Sequence, residues 1–447
     1  MAGRLMALTL ALALVLGAPG TSRAQTILRD AELERSLREL ARPIIVAAGL
    51  SPAQVKILVL DDSSLNAFVL NSQTIMIHSG LMLKMTRPEM LQGVIAHEVA
   101  HIANGHLTRR PENARNARNA AMIGLALSAA LATQSPSAAA GVAIGTQSSA
   151  QRVFLSHTRA EEASADQSGL RYLSRAGIDP SGFVEVLEIF SGQEALSAGR
   201  QDPYVLSHPL SRDRLRAARG YAAAYGKGIS GTDAASAYWY GRAHAKLSAY
   251  LRNPGWTLRR IKKGDTSDAA LVARAVANHQ ARKTGPALAA ADQLIAKRPD
   301  DAYAHELKGW ILLESRQFGA ATSAYARAVE LAPSQPLILA GYGRALLAQD
   351  TAASNAKALQ VLEKSRSVDP VNPSMLRDLG LAYARIGETG MASVVTAERY
   401  ALSGRLKDAA IHAKRASGLL PRGSTGWRRA QDILLAAETQ EKRKTRR

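Results

Sequence analysis

Apolar and polar residues near the start of this chain follow two spacings, one typical of a helix and one typical of a strand. From Asp30 to Ala48 the spacing predicts an amphipathic helix that is kinked or ended near Pro43. Val55 to Leu60 is apolar and β-branched, and Ala67 to Leu70 followed by Thr74 to Ile77 resembles a hairpin. These segments predict a small β-sheet ahead of the helices that follow.

A second helix is predicted between Pro88 and Asn104. Proline suits the first position of a helix, and Asn104-Gly105 is typical of a helix end. An apolar stripe at helical spacing is formed by Leu91, Val94, Ile95 and Ile102. Glu98 falls on that stripe. Because an ionised carboxylate on a buried face is costly, Glu98 needs a chemical reason to be there.

The middle of the chain is predicted to be helical as well. From Arg109 to Ala150 it is rich in Ala, Ser, Gly and Asn, and its apolar runs are too short to span a bilayer. Core helices or a lid over the active site are therefore favoured over an element that dips into a membrane surface. A third helix is predicted from about Ser156 to Ala176. Helical pattern continues to Gly199 and, after a loop containing Ser207-His208-Pro209, to about Tyr250.

A recurring proline marks the second half of the chain, beyond a predicted boundary at Asn253-Pro254-Gly255. Pro299 and Pro333 lie 34 residues apart, which is the tetratricopeptide period. Small and aromatic residues occupy the places where paired helices approach closely, namely Gly309, Ala321, Tyr325 and Ala328. Gly343 repeats Gly309 at the same period, whereas Pro370 comes about three residues late.

The repeats set the expected architecture. The extra residues are expected near Thr351 to Ser354, and Gly380 and Pro421 mark weaker repeats. About four helical pairs stacked as a short solenoid are predicted, with an ordinary helical bundle as the alternative. The fold class is therefore α+β, mostly α: a domain with a small β-sheet over 25–255 and an all-α tetratricopeptide domain over 265–447.

Residues 1–24 have the three parts of a secretory signal. Arg4 is followed by an apolar run from Leu5 to Leu16, and small residues end at Ser22-Arg23-Ala24. Cleavage after Ala24 is expected, since the run is shorter than the roughly 20 residues of a spanning helix; an uncleaved anchor is the alternative. The sequence therefore predicts an exported protein.

Basic residues exceed acidic ones, with 57 Lys and Arg against 37 Asp and Glu. Such an excess favours an anionic partner. Since an exported protein meets no chromosome, an anionic lipid surface is the expected partner rather than nucleic acid. The alternative is that the basic face and the basic tail, Lys442 to Arg447, are merely solvated. The chain has no cysteine, which excludes thiolate metal sites, a cysteine nucleophile and a lipid-modified cysteine.

Five residues of the second helix, His97-Glu98-Val99-Ala100-His101, have the spacing of a zinc metalloprotease motif. Residues four apart on a helix point the same way, so both histidines can bind one Zn²⁺ ion. Glu98 can then take a proton from a zinc-bound water and later return it to the leaving amine. This role explains the carboxylate on the apolar stripe; the alternative is a pair of ordinary core histidines.

A catalytic zinc needs a third protein ligand, and the third helix offers one. Glu162 and Asp166 are four residues apart. Leu170 and Leu173 continue on the same side, so both carboxylates are predicted to face the core, where a pair of acids without a cation is costly. We therefore expect Glu162 to bind zinc and Asp166 to orient a ligating histidine. A solvated position fits Glu161 better.

The two motifs together resemble the HtpX/Oma-type zinc metallopeptidases, in which HExxH is followed by ExxxD. The matching residues are His97, Glu98, His101, Glu162 and Asp166, with Arg159 three residues before the glutamate. Ser164 departs from the acidic residue that members often have at that position, which we take as neutral for zinc binding. The resemblance implies a zincin-like, gluzincin-like domain with one Zn²⁺ per chain and with Arg159 and Asp166 behind the ligands.

A signal peptide combined with a C-terminal tetratricopeptide array is similar to periplasmic members of this family. Such members are implied to degrade misfolded or stalled outer-membrane proteins and to assist their assembly. The solenoid would hold the client or the assembly machinery in its concave face. In HExxH metalloproteases an edge strand beside the metal can pair with an extended substrate, and here that strand is predicted to be Thr74 to Ile77.

The remaining histidines leave alternatives open. His208 resembles a family position that approaches the metal, so it is expected to be a fourth ligand closing the site, a transition-state hydrogen-bond donor, or an ordinary loop histidine. His106 is expected on the surface at a helix end rather than behind a ligand, and His78 has no predicted partner. The others are expected to be structural: His157, His244, His279, His305 and His412.

Functions of different classes remain open at this point. The leading one is a periplasmic zinc endopeptidase with a protein-binding solenoid, in peripheral contact with an anionic membrane surface. Its rival is a chaperone or scaffold whose zinc site is latent because the 109–150 segment or His208 blocks the water position. A membrane-integral peptidase, based on the apolar runs, is the third.

Overall fold

The computed structural model describes residues 26–107, 159–196, 200–229 and 232–445. The predicted signal peptide, the 109–150 segment and His157 lie outside these residues. The described part is mostly helical, with one four-stranded sheet near its start, which confirms the predicted fold class. Among the described helices, none combines the length and the apolar character that crossing a bilayer requires.

Four short strands form a mixed sheet in the order β1-β2-β4-β3. They are β1 (Ile27–Leu28), β2 (Lys56–Leu60), β3 (Ala67–Asn71) and β4 (Thr74–His78). β2 runs parallel to β4, and β3 runs antiparallel to β4 with Phe68 opposite Met76. The predicted strand at Val55 to Leu60 and the predicted hairpin are therefore confirmed.

The place of β4 in the sheet corrects the predicted substrate strand. Thr74 to Ile77 belongs to β4, whose two sides are taken by β2 and β3, so it has no free edge. On this side of the described sheet the free edge is β3, Ala67–Asn71. The prediction was wrong because alternation identifies a hairpin but does not say which of its strands pairs with an earlier one.

Nine helices of at least five residues accompany the sheet in the described residues up to 260. In chain order they are α1 (Ala31–Ala47), α2 (Ser79–Lys84), α3 (Pro88–Ala103), α4 (159–175), α5 (Ser181–Ile189), α6 (Pro203–Ser207), α7 (Arg212–Tyr225), α8 (Ala234–Leu251) and α9 (Pro254–Arg260). α1 does not end at Pro43 but continues to Ala47. The helical pattern expected up to Gly199 stops at Ile189, followed by one 3₁₀ turn, Gln193–Ala195.

Helix α3 is the centre of this part of the fold. Every residue from Pro88 to His101 is buried, because α1, the sheet and α5 pack around the helix. The predicted apolar stripe is therefore only part of a fully buried surface. Glu98 lies in this surface with none of its side chain exposed.

Glycines let two later helices approach α3 closely. A Cβ at Gly93 of α3 would lie 2.7 Å from Phe183 of α5. A Cβ at Gly169 of α4 would lie 3.1 Å from the backbone of Ala96 in α3. Because helix backbones meet this closely only where side chains are absent, Gly169 brings α4 directly against the helix that carries the two motif histidines.

Ten helices follow from residue 268. They are α10 (Asp268–Gln280), α11 (Thr284–Lys297), α12 (Ala302–Glu314), α13 (Phe318–Leu331), α14 (Pro336–Gln349), α15 (Ala352–Val368), α16 (Pro373–Arg385), α17 (Thr389–Leu402), α18 (Leu406–Leu419) and α19 (Thr425–Thr445). Within the described residues they make five consecutive pairs, one more than expected. α15 has 17 residues against 14 in α13, so the extra residues predicted near Thr351 extend a helix.

The predicted close approaches in the solenoid are present. A Cβ at Gly309 of α12 would lie 2.7 Å from the ring of Tyr325 in α13. A Cβ at Gly343 of α14 would lie 2.5 Å from Leu362 of α15. The spacing of small residues in the sequence therefore indicates where paired helices contact each other.

Helix α8 packs in two cores at once. Tyr240, Ala243 and Leu247 belong to the core of the sheet-bearing part, whereas Ala249 belongs to the first core of the solenoid. The predicted boundary at Asn253-Pro254-Gly255 falls between α8 and α9, where the Asn253 side chain caps α9. The two parts of the chain therefore share a helix.

A buried ion network also joins the two parts. Glu32 of α1 is fully buried and pairs with Arg242 of α8, which also pairs with Asp301 at the start of α12. The Lys246 Nζ atom lies 2.7 Å from Asp30 and 3.3 Å from Glu32. These charges tolerate burial only because each lies beside an opposite charge.

Replacing Glu32 by alanine is expected to lower the free energy of unfolding by about 3 kcal/mol, because Arg242 and Lys246 then lose a buried counter-charge. Urea unfolding followed by circular dichroism measures the change. Glu39→Ala on the same helix, which breaks only the surface pair with Arg35, is the control and is expected to cost less than about 1 kcal/mol. Equal losses for the two variants would contradict the network's role.

Candidate metal centre

Buried histidines and carboxylates from separate elements converge beside α3. His97, Glu98 and His101 come from α3, Glu162 and Asp166 from α4, and His208 directly follows α6. All six residues are at most 3% exposed. The structure thus brings together the residues that the two motifs predicted, although they are separated by long stretches of sequence.

Four nitrogen and oxygen donors face one another at this point. His97, His101, Glu162 and His208 each offer one atom within 4.8 Å of the others. The Nε2 atoms of His97 and His101 are 3.0 Å apart. Glu162 carboxylate oxygens lie 3.3 Å from His97 Nε2 and 3.4 Å from His101 Nε2.

These spacings fit a small metal ion. Donors at 2.0–2.1 Å on a tetrahedral ion lie about 3.3–3.4 Å from each other. Two imidazole nitrogens that face each other repel through their lone pairs unless a proton or a metal ion lies between them. The set of two imidazoles and one carboxylate is also the donor chemistry of catalytic zinc sites. His97, His101 and Glu162 could therefore hold such an ion.

The electrostatics of the site favour a positive charge at this place. Burial acts against a charged imidazole, but hydrogen bonds with Asp166 and Glu162 outweigh it and raise the pKa of His97 to about 9. Burial and the neighbouring charge of His97 hold the pKa of His101 well below its ordinary value. One histidine thus keeps a proton while the other stays neutral, and a bound metal ion would replace that proton.

Each of the two α3 histidines is held by a partner on its far side. His97 Nδ1 lies 2.9 Å from an Asp166 oxygen, and His101 Nδ1 lies 2.9 Å from His106 Nδ1. Since both Nε2 atoms face the donor cluster, each Nδ1 carries the hydrogen that it donates outward. The expectation that His106 is a surface residue is wrong, because its side chain is 3% exposed and supports His101.

Arg214 of α7 stabilises the buried acids and was missed in the sequence. Its guanidinium lies 2.8 Å from Asp166 and 3.0 Å from Glu162. Burial acts to raise the carboxyl pKa values, but positive neighbours, Arg214 among them, lower the pKa of Asp166 and hold that of Glu162 well below its ordinary value. Arg159, which was expected behind the ligands, is exposed instead at the start of the described part of α4.

A sequence signal for Arg214 did exist. Arg214, Ala218 and Ala222 are spaced by four residues and share the buried face of α7. A charged residue on an apolar stripe is the same signal that singled out Glu98. Arg214 also donates to the backbone oxygens of His208 and Pro209, at 3.2 and 3.1 Å, and so holds the His208 loop.

His208 closes the donor set from the side of the sheet. Its Nδ1 atom lies 3.2 Å from His97 Nε2 and 3.1 Å from a Glu162 oxygen. Its Nε2 atom lies 3.2 Å from the carbonyl oxygen of Ala67, at the start of the free strand edge, and 3.4 Å from Glu98. One side chain thus touches both the donor cluster and the edge strand.

Within the described residues, several buried polar groups at the cluster lack a hydrogen-bond partner, among them the Glu98 carboxylate and the Tyr204 hydroxyl. Burial and the nearby Glu98 charge raise the pKa of Tyr204 well above its ordinary value. Beside them lies a cavity of about 30 Å³, lined by Glu98, His101, His208 and Val69 among others. That volume holds about one water molecule, which Glu98 could polarise.

The other described histidines lie elsewhere. His78 is buried and bonds to Ser64 Oγ at 2.9 Å, which supplies the partner that the sequence did not reveal. His244 approaches the Leu83 carbonyl oxygen, His279 packs on Trp310, and His412 stacks on Tyr400. None of these joins the donor group found among the described residues.

Comparison with known families identifies this part of the chain. Residues 28–222 match the model described as peptidase family M48. This matched range, which is less than half of the chain, is similar to the M48 metallopeptidases. The matched range contains His97, His101, Glu162 and His208, the four donors, and also Arg214. The resemblance to metallopeptidases that was stated from the two motifs is confirmed.

Named relatives extend the likeness into the solenoid. The beta-barrel assembly-enhancing protease of Yersinia pestis is 24% identical over 392 residues, which cover 86% of this chain and 79% of that protein. The Escherichia coli (strain K12) protein of the same name is 28% identical over 44% of this chain, but the match spans only 40% of that relative. Metalloprotease LoiP of Escherichia coli is 27% identical over 46% of this chain and 77% of its own length.

Solved structures of helical-repeat proteins also resemble the chain. A MamA double mutant covers 37% of this chain and 94% of its own, with 19% identity and a TM-score of 0.32. YrrB, described as a TPR protein, covers 41% of this chain with 14% identity and a TM-score of 0.27. At these scores the likeness carries no weight; the solenoid assignment rests on the five helical pairs described above.

Replacing Asp166 by asparagine is expected to weaken metal binding by roughly 10–100-fold, because Asp166 no longer fixes the ring and tautomer of His97. Competition with a chelating indicator measures the affinity, and circular dichroism confirms that the variant folds. Asp213→Asn, a change at an 88% exposed side chain on the neighbouring helix, is the control. Unchanged affinity in a folded Asp166 variant would show that His97 does not depend on this contact.

Proposed function

We propose that this chain is a zinc-dependent endopeptidase. The observation that carries the proposal is the convergence of His97, His101 and Glu162 beside a Glu98 carboxylate that has no hydrogen-bond partner in the described part of the chain. Two imidazoles and one carboxylate are the protein ligands of a familiar class of catalytic zinc site, and such sites also need a free carboxylate to move protons.

The roles of the residues follow from their places. A zinc ion held by His97, His101 and Glu162 would supply Lewis acidity toward a peptide carbonyl and toward water. Glu98 would take the proton of the attacking water in the adjacent cavity and deliver it to the leaving amine. Asp166 and His106 would keep the two imidazoles in the tautomer that leaves Nε2 free. Arg214 would keep Glu162 and Asp166 ionised.

We assign substrate binding to strand β3. An extended peptide can add to a free strand edge through backbone hydrogen bonds, which makes recognition tolerant of side-chain sequence. Residues 67–71 have no neighbouring strand on their outer side in the described sheet, and Phe68 and Val69 line the cavity beside Glu98. A peptide paired with β3 would therefore pass next to the metal ligands.

The clients we propose are misfolded or stalled outer-membrane proteins, with the periplasm as the compartment. The proposal rests on two relatives named beta-barrel assembly-enhancing protease and on the predicted signal at residues 1–24. The solenoid would hold the client or the assembly machinery. A cavity of about 910 Å³ between the N-terminal segment, α8 and the solenoid is lined by Arg29, Lys246, Glu306, Trp310, Tyr325 and Arg344, among others.

One observation favours a second function, a chaperone or scaffold with a latent site. Catalytic zinc sites keep one position open, whereas here His208 Nδ1 completes a set of four donors. His208 also contacts Ala67 at the strand edge, so the same side chain stands between the four donors and the strand with which a substrate would pair. In this form the chain would bind zinc and clients with little cleavage.

Replacing Glu98 by glutamine is expected to lower casein cleavage by roughly 10²–10⁴-fold, because the group that transfers the proton is lost. Zinc content, measured by atomic absorption, is expected to stay at one ion per chain. Glu188→Gln, at a half-exposed surface pair with Arg219, is the control and should cleave like the natural chain. Full activity of a zinc-loaded Glu98→Gln variant would rule out this mechanism.

Replacing His208 by alanine is expected to raise casein cleavage several-fold while lowering zinc affinity, because a fourth donor leaves and the strand edge opens. Both quantities are measured on the same preparation. A lower rate at unchanged affinity would instead make His208 a hydrogen-bond donor to the transition state. No change in either would remove His208 from the site.

A further inference from the structure

A strongly positive surface surrounds the short helix α9, away from the donor cluster. Between residues 252 and 263 the chain has five cationic side chains and no acidic one. All five are exposed: Arg252, Arg259, Arg260, Lys262 and Lys263. We refer to these five residues as the basic surface.

The charge of the basic surface is offset only in part by its neighbours. Asp265 attracts Lys262, but among the described residues no carboxylate oxygen lies within the 4.0 Å ion-pair distance of any of the five side chains. Nearby cations of the solenoid differ in this respect: Lys297 and Arg298 share Asp268 at 2.7 and 2.9 Å. Like charges held together without a closely paired counter-charge repel one another, so an anionic partner would stabilise the basic surface.

Aromatic residues are built into the same surface. The guanidinium groups of Arg252 and Arg260 lie 4.4 and 4.3 Å from the ring centre of Trp256, on a helix that Asn253 caps. Stacking on an indole holds these guanidiniums in place, and arginine binds phosphate oxygens through paired hydrogen bonds. Tyr250, at the end of α8, leaves 48% of its surface in solvent.

We infer that the basic surface binds the anionic headgroups of a phospholipid bilayer. A specific protein partner would need an apolar, well-packed centre, and among the described residues around α9 the only exposed aromatic ring is that of Tyr250, which is amphipathic. A layer of phosphate groups needs only a cluster of cations, and tyrosine and tryptophan favour the headgroup region. The inference stands apart from the metal centre and from peptidase activity.

Sedimentation with vesicles tests the inference on the purified protein. Phosphatidylcholine vesicles with 30 mol% phosphatidylglycerol are compared with phosphatidylcholine alone, at low and at high salt. The test variant is Arg259→Gln/Lys262→Gln/Lys263→Gln, which spares the arginines stacked on Trp256. The control variant is Lys357→Gln/Lys364→Gln/Lys407→Gln, which removes three exposed solenoid lysines and changes the net charge equally.

The natural chain is expected to bind the anionic vesicles and to be released by salt, since the Debye length shortens. A basic residue near an anionic surface contributes about fivefold to partitioning, so the test variant should bind roughly 100-fold more weakly. The control variant should bind as the natural chain does. Equal binding by both variants, or no binding by the natural chain, would overturn the inference. Binding to polyglutamate but not to vesicles would assign the surface to an acidic protein instead.

Discussion

Two buried carboxylates on one helix, Glu162 and Asp166, impose the constraint on which the metallopeptidase part depends. Negative charge away from water persists only beside positive charge. Arg214 supplies one positive charge beside both acids. The two histidines of α3 can carry a second positive charge there, as a proton or as a bound metal ion. Satisfying this constraint requires α3, α4 and α7, which are far apart in sequence, to meet at one point.

The parts of this arrangement that could be predicted are those that lie within one helix. The spacing of His97, Glu98 and His101 and that of Glu162 and Asp166 fixes which side chains share a face. The prolines and glycines of the solenoid were equally predictive, because their regular spacing marks a helical pair that repeats along the chain. Such geometry follows from the helix itself and does not depend on how distant segments pack.

The features that could not be predicted depend on contacts between distant segments. His106 is buried because residues after α3 turn back toward His101, which helix spacing does not show. The free edge belongs to β3 rather than β4 because β4 pairs with β2, a choice that alternation leaves open. Arg159 was placed by a motif match alone, and Arg214 takes the position behind the ligands because α7 packs there.

The contact between His208 and the donor cluster makes ligand binding a competition within one molecule. Because His208 belongs to the same molecule, it competes with an incoming peptide at an effective concentration that its loop determines. This concentration is about millimolar for short flexible connections and higher for a loop that is held in place. At equal intrinsic affinity, a free peptide at micromolar concentration would lose that competition. A peptide retained by the solenoid, as proposed, would have its own high effective concentration, since α8 joins the two parts. Capture would then become the condition for access, and selectivity would come from local concentration rather than from recognition of a cleavage sequence.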